Sequence, residues 1–391
     1  MAGSVRDVAR LFLRLGCTSF GGPAAHLAYF RRAVVGPQGW VDEAVFARLL
    51  GLGQFLPGPT SSQLGLLLGW TRAGWSGAMV AFAAFTLPSA LLLALAGMAV
   101  TALSPEAVAP WLAGMKIAVV AVVADAVWRL GRSLCPGPRQ VAVATLVLAV
   151  MLALPWWWAA PTALLIAGLA GIGWLPADGR LAVGFDAVPG RRVSLVLVVV
   201  GLGAIAAGLL LSGHGGVAGL LGACLQAGGL VFGGGHVVLP LLQEPLVSSG
   251  LLDQSTFMVG YGLAQGVPGP LFTVAAFIGA AAAPALGWPA WLLAALCTLA
   301  IFLPGLCLAL GCLRWYGALL AVPRLARAAA GVNAGVVGLL AAALVTPVGS
   351  TALHQPRDVV LALVAFVGLV RWGVPAPLVV AGCALVTAFW G

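Results

Sequence analysis

Apolar residues along this chain run in blocks long enough to cross a bilayer, and four of the blocks are broken by glycine or proline. The first block, 5–34, reads as one long helix except at Gly21-Gly22-Pro23. Each side of that break is too short to cross alone, since a crossing needs about 20 apolar residues. The second block, 41–72, is interrupted by Pro57-Gly58-Pro59 and reads as two half-helices meeting near mid-membrane. Proline removes a backbone donor, so the freed groups need protein or a polar cavity around them. Four fuller spans follow near 76–103, 107–133, 138–154 and 157–175. A polar stretch, 176–192, and one extra span, 193–212, lead to a second series. That series has broken segments at 217–247 and 252–284, then spans near 288–312, 322–348, 356–372 and 374–390.

The two series repeat each other. Phe20-Gly21-Gly22 with His26 recurs as Phe232-Gly233-Gly234 with His236. Gln54-Phe55-Leu56-Pro57-Gly58-Pro59 recurs as Gln265-Gly266-Val267-Pro268-Gly269-Pro270. Asp42, Phe46 and Ser62 match Asp253, Phe257 and Thr273. Duplicated broken segments in an apolar chain point to a transporter and to its binding site. The reading is an all-α polytopic membrane protein of two inverted repeats, 1–175 and 217–391, joined by 176–216 (the polar linker plus the extra span).

Composition agrees with a membrane solvent. The chain has 391 residues, 62% hydrophobic and 7% charged, against about 25% charged in soluble domains. Its formal charge of +9 does not indicate nucleic acid, because the basic residues sit singly or in pairs at the ends of apolar runs. All are arginine except Lys116. The seven cysteines show no metal-ligand spacing and read as small apolar fillers. The N-terminus, with Arg6, Asp7, Arg10 and Arg14, does not read as a cleavable signal.

Arginine placement tests the topology. If both broken segments of a half are re-entrant, Arg6, Arg10, Arg14, Arg31, Arg32 and Arg72 share a side with Arg129, Arg132, Arg139, Arg180, Arg191 and Arg192. That side is then the cytoplasm, with the N-terminus on it. The extra span turns the second half over, and Arg314, Arg324, Arg327 and Arg371 fall on the same side. Arg357 is the misfit. A fully crossing 5–34 segment ranks second, because it puts Arg31 and Arg32 outside.

A half-helix that begins inside the membrane leaves backbone donors free and carries partial positive charge, which suits an anion. The helix after the first break begins Thr60-Ser61-Ser62-Gln63, and its counterpart begins Leu271-Phe272-Thr273. The first half is therefore expected to supply more of the site. Gly21, Gly22, Gly233 and Gly234 either face a ligand or let helices pack closely. His26 and His236 either bind an anion or carry a proton, or stay neutral in a polar layer. His214 and His354 fall at span ends and read as interfacial. Gln54 and Gln265 either cap freed backbone groups or touch substrate. Lys116, aligned with Asn333, is a cation inside a span, where charge is costly and usually functional; it either attracts a divalent anion, or snorkels or pairs with a nearby carboxylate. Asp125 has Arg129 as its expected partner at i+4. Arg72 reads as a topology anchor ahead of a guard of the entrance for anions, and Glu244 as solvated near a mouth. No phosphate loop, metal triad or nucleophile–base spacing appears, so no cofactor and no enzyme activity are expected.

At these motifs the chain resembles the chromate ion transporter family. The resemblance rests on Gly16-Cys17-Thr18-Ser19-Phe20-Gly21-Gly22-Pro23-Ala24-Ala25-His26-Leu27, on Gln54-Phe55-Leu56-Pro57-Gly58-Pro59, and on 231–242. It covers nearly the whole chain, in the two-half form. The resemblance implies a secondary transporter of the cytoplasmic (inner) membrane that exports chromate and confers chromate resistance. Sulfate, another tetrahedral dianion, is the expected competitor. The departures lie in the second half, where Gly266-Val267 replaces Phe55-Leu56 and the hydroxyl cluster is reduced.

The site expected on both grounds comprises Gly21, Gly22, His26, Gln54, Pro57, Gly58, Pro59, Thr60, Ser61, Ser62 and Lys116 from the first half. From the second half it takes Gly233, Gly234, His236, Gln265, Gly269, Thr273 and Asn333. Expected partners are the oxyanion and the bilayer. Proton coupling and a homodimer stay open. The rival readings are an anion channel, a transporter of sulfate or another oxyanion, and a membrane sensor that moves nothing.

Overall fold

A computed structural model describes residues 4–20, 22–35, 39–102, 105–154, 159–176, 185, 188–232, 238–320 and 322–390. Gly21, Gly233, Gly234, His236, Arg180 and most of the linker lie outside the described residues. Among the described residues the chain is helical, with a single isolated bridge between Val35 and Val41. The first repeat comprises α1 (Val5–Thr18), α2 (Gly22–Val34), α3 (Glu43–Phe55), α4 (Thr60–Ala102), α5 (Pro105–Leu134), α6 (Pro138–Ala153) and α7 (Ala159–Trp174). The extra span is α8 (Arg191–Leu211). The second repeat comprises α9 (Gly216–Leu230), α10 (Val238–Ser248), α11 (Gln254–Gly266), α12 (Val274–Leu286), α13 (Ala290–Cys312), α14 (Tyr316–Leu320), α15 (Pro323–Ala343), α16 (Ser350–Ala352), α17 (Pro356–Arg371) and α18 (Ala376–Trp390).

The broken segments fold back on themselves. Phe12 of α1 and Phe30 of α2 meet edge to face, with ring centroids 5.4 Å apart. In an unbroken helix they would be about 27 Å apart along the axis. The Arg72 guanidinium lies 5.4 Å over the Trp40 ring, so the far ends of the α3–α4 arm also meet. Phe12 is 6.2 Å from that same Trp40 ring, which brings the open ends of both hairpins to one side. In the second repeat, Gly260 of α11 packs on the Phe277 ring of α12 across the second break. Asp42 and Asp253 start the matched helices α3 and α11 as N-caps, accepting from Val45 N at 2.7 Å and Thr256 N at 3.0 Å. Such a cap contributes about 1 kcal/mol. Their recurrence in the sequence is thereby explained without any contact to substrate.

α4 is two arms joined by a turn at Ala73-Gly74, where Gly74 has φ +60°. The corresponding turn in the second repeat is Gly287, φ +68°, between α12 and α13. Among the described residues, four helices are long and apolar enough to cross a bilayer, α8 among them. Leu195, Val196, Val199 and Leu202 of α8 face outward, as lipid-facing residues do.

The two repeats interlock. α5 packs on α17 and α18 of the second repeat, and the equivalent α15 packs on α6 and α7 of the first. Glycines make this possible: a Cβ on Gly331 of α15 would lie 2.7 Å from the Gly171 Cα of α7. The matching Gly114 of α5 lies against the backbone of Cys383 in α18. Lipid tails are as apolar as the helix surfaces, so close packing of this kind supplies much of the association energy.

The arginines mark one end of the bundle. Arg129 bonds Asp125 at 2.7 Å and the Leu369 carbonyl at 3.4 Å, next to Arg371. Arg139 donates to Trp174 O at 3.2 Å. Arg314 donates to Pro189 O at 3.0 Å, beside Arg191 and Arg192. Arg357 begins α17, at the opposite end from Arg371, and its guanidinium lies 5.3 Å over the Trp390 ring. Glu244 departs from expectation. It is half-buried, with Oε2 unpartnered, because its neighbours Gln243, Pro245 and Leu246 on α10 are buried.

Replacing Gly331 by Leu should destabilise the purified protein by about 1–3 kcal/mol, because the added side chain overpacks the α7–α15 contact. Gly382→Leu, where a Cβ meets nothing within 4 Å, should leave the thermal midpoint unchanged. Thermal unfolding in detergent micelles checks both.

Candidate functional site

Both proline–glycine breaks adopt a backbone that only glycine holds without strain: φ is +126° at Gly58 and +104° at Gly269. Each break docks on the other repeat. Gly58 N donates to Val231 O at 2.7 Å, and Gly269 N donates to Ser19 O at 3.0 Å. Val231 and Ser19 are equivalent residues, each just before a Phe-Gly-Gly motif. A Cβ on Gly58 would lie 2.7 Å from the Gly305 Cα, and one on Gly269 would lie 2.7 Å from Ser89 Oγ. Gly305 and Ser89 are equivalent too, since each follows the proline inside a matched helix, Pro304 in α13 and Pro88 in α4. The pseudo-symmetry of the sequence is therefore a symmetry of contacts, exchanged between the halves.

Around the first break, Gln63 Nε2 donates to Pro57 O at 2.7 Å and to Gly305 O at 3.0 Å. Its Oε1 is buried without a partner. Thr60 Oγ1 donates to Gly53 O at 3.2 Å. Ser61 and Ser62 are buried, and Ser62 Oγ has no partner. Around the second break, Thr273 Oγ1 donates to Pro270 O at 2.6 Å. His26 is buried, with Nε2 3.1 Å from Ser19 O and its ring edge-on to Phe85 at 5.3 Å. Ser89 Oγ donates to Thr86 O at 3.1 Å. Ser19 Oγ, His26 Nδ1 and Thr86 Oγ1 are buried and unpartnered.

The remaining expected residues are placed as follows. Pro57 and Pro59 flank Gly58 at the first break, and Gly22 begins α2. Gln54 is exposed, and Gln63 caps the break instead. Gln265 is buried, hydrogen-bonded to the Tyr261 side chain, with Nε2 unpartnered. Lys116 is half-buried within electrostatic reach of Asp253, the cap of α11. Asn333 has a buried, unpartnered Oδ1 on α15. No hydrogen bond among the described residues joins Lys116 or Asn333 to a break. His214 and His354 are exposed near helix ends. Among the described residues no three His, Cys, Asp or Glu side chains converge on a metal position.

Sequence reading passed over Ser19, Thr86, Ser89 and Gly305. The recurrence of Pro88-Ser89 as Pro304-Gly305, in step with the other motifs, was the available signal.

The family model described as "Chromate transporter" matches residues 6–174 and again 218–388, which is most of the chain. The chain belongs to the chromate transporter family. A chromate transport protein of Pseudomonas aeruginosa is 29% identical over 88% of this chain and 81% of its own length. A probable chromate transport protein of Synechococcus elongatus is 27% identical over all of this chain and 96% of its own. A chromate transport protein of Cupriavidus metallidurans is 38% identical over 25% of this chain and 24% of its own. No solved structure matches. As a member of the chromate transporter family, the chain is a multi-pass membrane protein whose doubled family domain agrees with its two repeats.

Gln63→Leu should lower stability by about 1–3 kcal/mol, because it strips the donor from two buried carbonyls. Gln54→Leu should change it by less than about 0.5 kcal/mol, as expected for an exposed position. Denaturation midpoints of the two variants in the same detergent check the difference.

Proposed function

We propose that this chain exports chromate, or a closely related tetrahedral dianion, by alternating access, with the two breaks as its binding centre. The observation that carries this reading is the exchanged pair of hydrogen bonds, Gly58 to Val231 and Gly269 to Ser19. Each broken helix is completed by the opposite repeat, so relative motion of the repeats must remodel both breaks together. That is the mechanical requirement of a site exposed alternately to two sides. The substrate class is supported by the family and by the donors at the breaks, which are the unpartnered Ser62 hydroxyl and the helix N-termini.

In this reading the arginine-rich end and the N-terminus face the cytoplasm, in the inner membrane. The inside-negative potential then favours export by about 2.3 kcal/mol per charge per 100 mV. Sulfate competes because it has the same shape and charge. Ser62 binds substrate, and Lys116 draws the anion toward the mouth. His26 is the group on which proton coupling would act.

Radiolabelled chromate uptake into inverted membrane vesicles tests this. Wild-type vesicles should take up chromate when energised and lose uptake to excess sulfate. Ser62→Ala should reduce uptake about tenfold, as loss of a bond to a charged ligand implies. Lys116→Ala should reduce it less, with the deficit fading as salt is raised. No uptake above empty vesicles, with the protein shown to be inserted, refutes chromate export. Single-channel current would replace the transporter with a channel.

A further inference from the structure

We propose that Ser19, His26, Thr86 and Ser89 form a second oxyanion-binding subsite, built by the first repeat around the break of the second repeat. The inference rests on the transport reading and adds residues to its site. The four side chains are all at least nine-tenths buried. They are linked around one point. Ser19 O accepts from Gly269 N at 3.0 Å and lies 3.1 Å from His26 Nε2. The His26 ring packs on Phe85, the neighbour of Thr86. Ser89 Oγ stands where a Cβ on Gly269 would be. Thr86 shares a helix face with Phe82 and Ser89, at i+4 and i+7 spacing, and Phe82 touches Phe302 of the second repeat at 5.1 Å. Thr86 lies one turn before Ser89, whose Oγ donates to the Thr86 carbonyl, so it shares the face of α4 that meets Gly269.

Three polar atoms in this cluster have no protein partner: Ser19 Oγ, His26 Nδ1 and Thr86 Oγ1. Buried polar groups are nearly always satisfied, so such a concentration calls for an occupant. The fold itself does not require polar groups here. At the equivalent positions of the second repeat, facing the first break, stand Val231 for Ser19, Phe302 for Thr86 and Gly305 for Ser89. The same docking geometry is thus made with and without hydroxyls. The free donors are the Ser19 and Thr86 hydroxyls, since His26 Nε2 donates to Ser19 O and Ser89 Oγ to Thr86 O. Two such hydroxyls beside the start of α12 suit the acceptor oxygens of an anion. A cation finds no carboxylate among these residues.

The test is equilibrium binding of radiolabelled chromate and, separately, sulfate to the purified full-length protein, with thermal unfolding measured with and without each anion. Ser19→Ala and Thr86→Val should each weaken binding about tenfold. Neither should lower the anion-free melting temperature, because each removes an atom that bonds nothing. Both should reduce the stabilisation that the anion gives. Thr298→Val, which loses a hydroxyl bonded within α13, should bind as wild type does. Unchanged affinity with a lowered anion-free melting temperature would mean a water-bridged structural layer and overturns the proposal. Unchanged affinity in all the variants, with His26→Gln altering only the pH dependence of transport, would mean a proton path and also overturns it. Sulfate binding without chromate binding, lost in Thr86→Val, keeps the subsite and discards chromate as the substrate. Binding of neither anion by the wild type discards both.

Discussion

A helix cannot stop inside hydrocarbon unless something else satisfies its freed backbone groups. This chain stops helices at four places, and much of its architecture follows from answering that constraint. At Gly58 and Gly269 the freed N–H groups find carbonyls of the opposite repeat. At Pro57 the freed carbonyl takes the Gln63 amide, which also reaches Gly305 across the repeat boundary. The breaks and the interlocking of the halves are thus one feature. Neither repeat alone has the partners its own broken helices need.

The same constraint explains which residues recur and which diverged. Glycine recurs at 58 and 269 because φ is positive there, and at 114 and 331 because a neighbouring helix passes too close for a side chain. Aspartate recurs at 42 and 253 to cap matched helices. Away from such points the halves differ freely. Ser19, Thr86 and Ser89 face the second break, while Val231, Phe302 and Gly305 face the first. The first break carries its own polar residues, Thr60 to Gln63, whereas the second begins Leu271-Phe272. Much of the polarity at both breaks thus comes from the first repeat.

Much of this was legible in the sequence. Spans read from apolar runs end within a few residues of the helices, because hydrophobic length and proline placement are local signals. The Asp125–Arg129 pair is equally local, one helical turn apart. What stayed hidden is long-range. The recurrence of Pro88-Ser89 as Pro304-Gly305 marks the position, but it does not show that Gly269 rests against it. Gln54 and Gln63 lie on either side of the first break, and only the three-dimensional turn decides that Gln63 points into it. Glu244 read as solvated because it falls near a mouth, yet α10 carries it partly under its neighbours.

The charge distribution carries the last step. Nine arginines, at 129, 132, 139, 191, 192, 314, 324, 327 and 371, gather toward one end of the bundle, and the polar groups at the two breaks are uncharged side chains or histidine. Lys116 lies within electrostatic reach of Asp253. On the proposed reading, long-range attraction would operate at the entrance and raise the local concentration of anions. Inside, on the same reading, the hydroxyls at the breaks would hold a dianion through a few modest bonds. A transported ion must be bound strongly enough to enter and weakly enough to leave. Separating steering charge from neutral binding groups meets both demands in one protein.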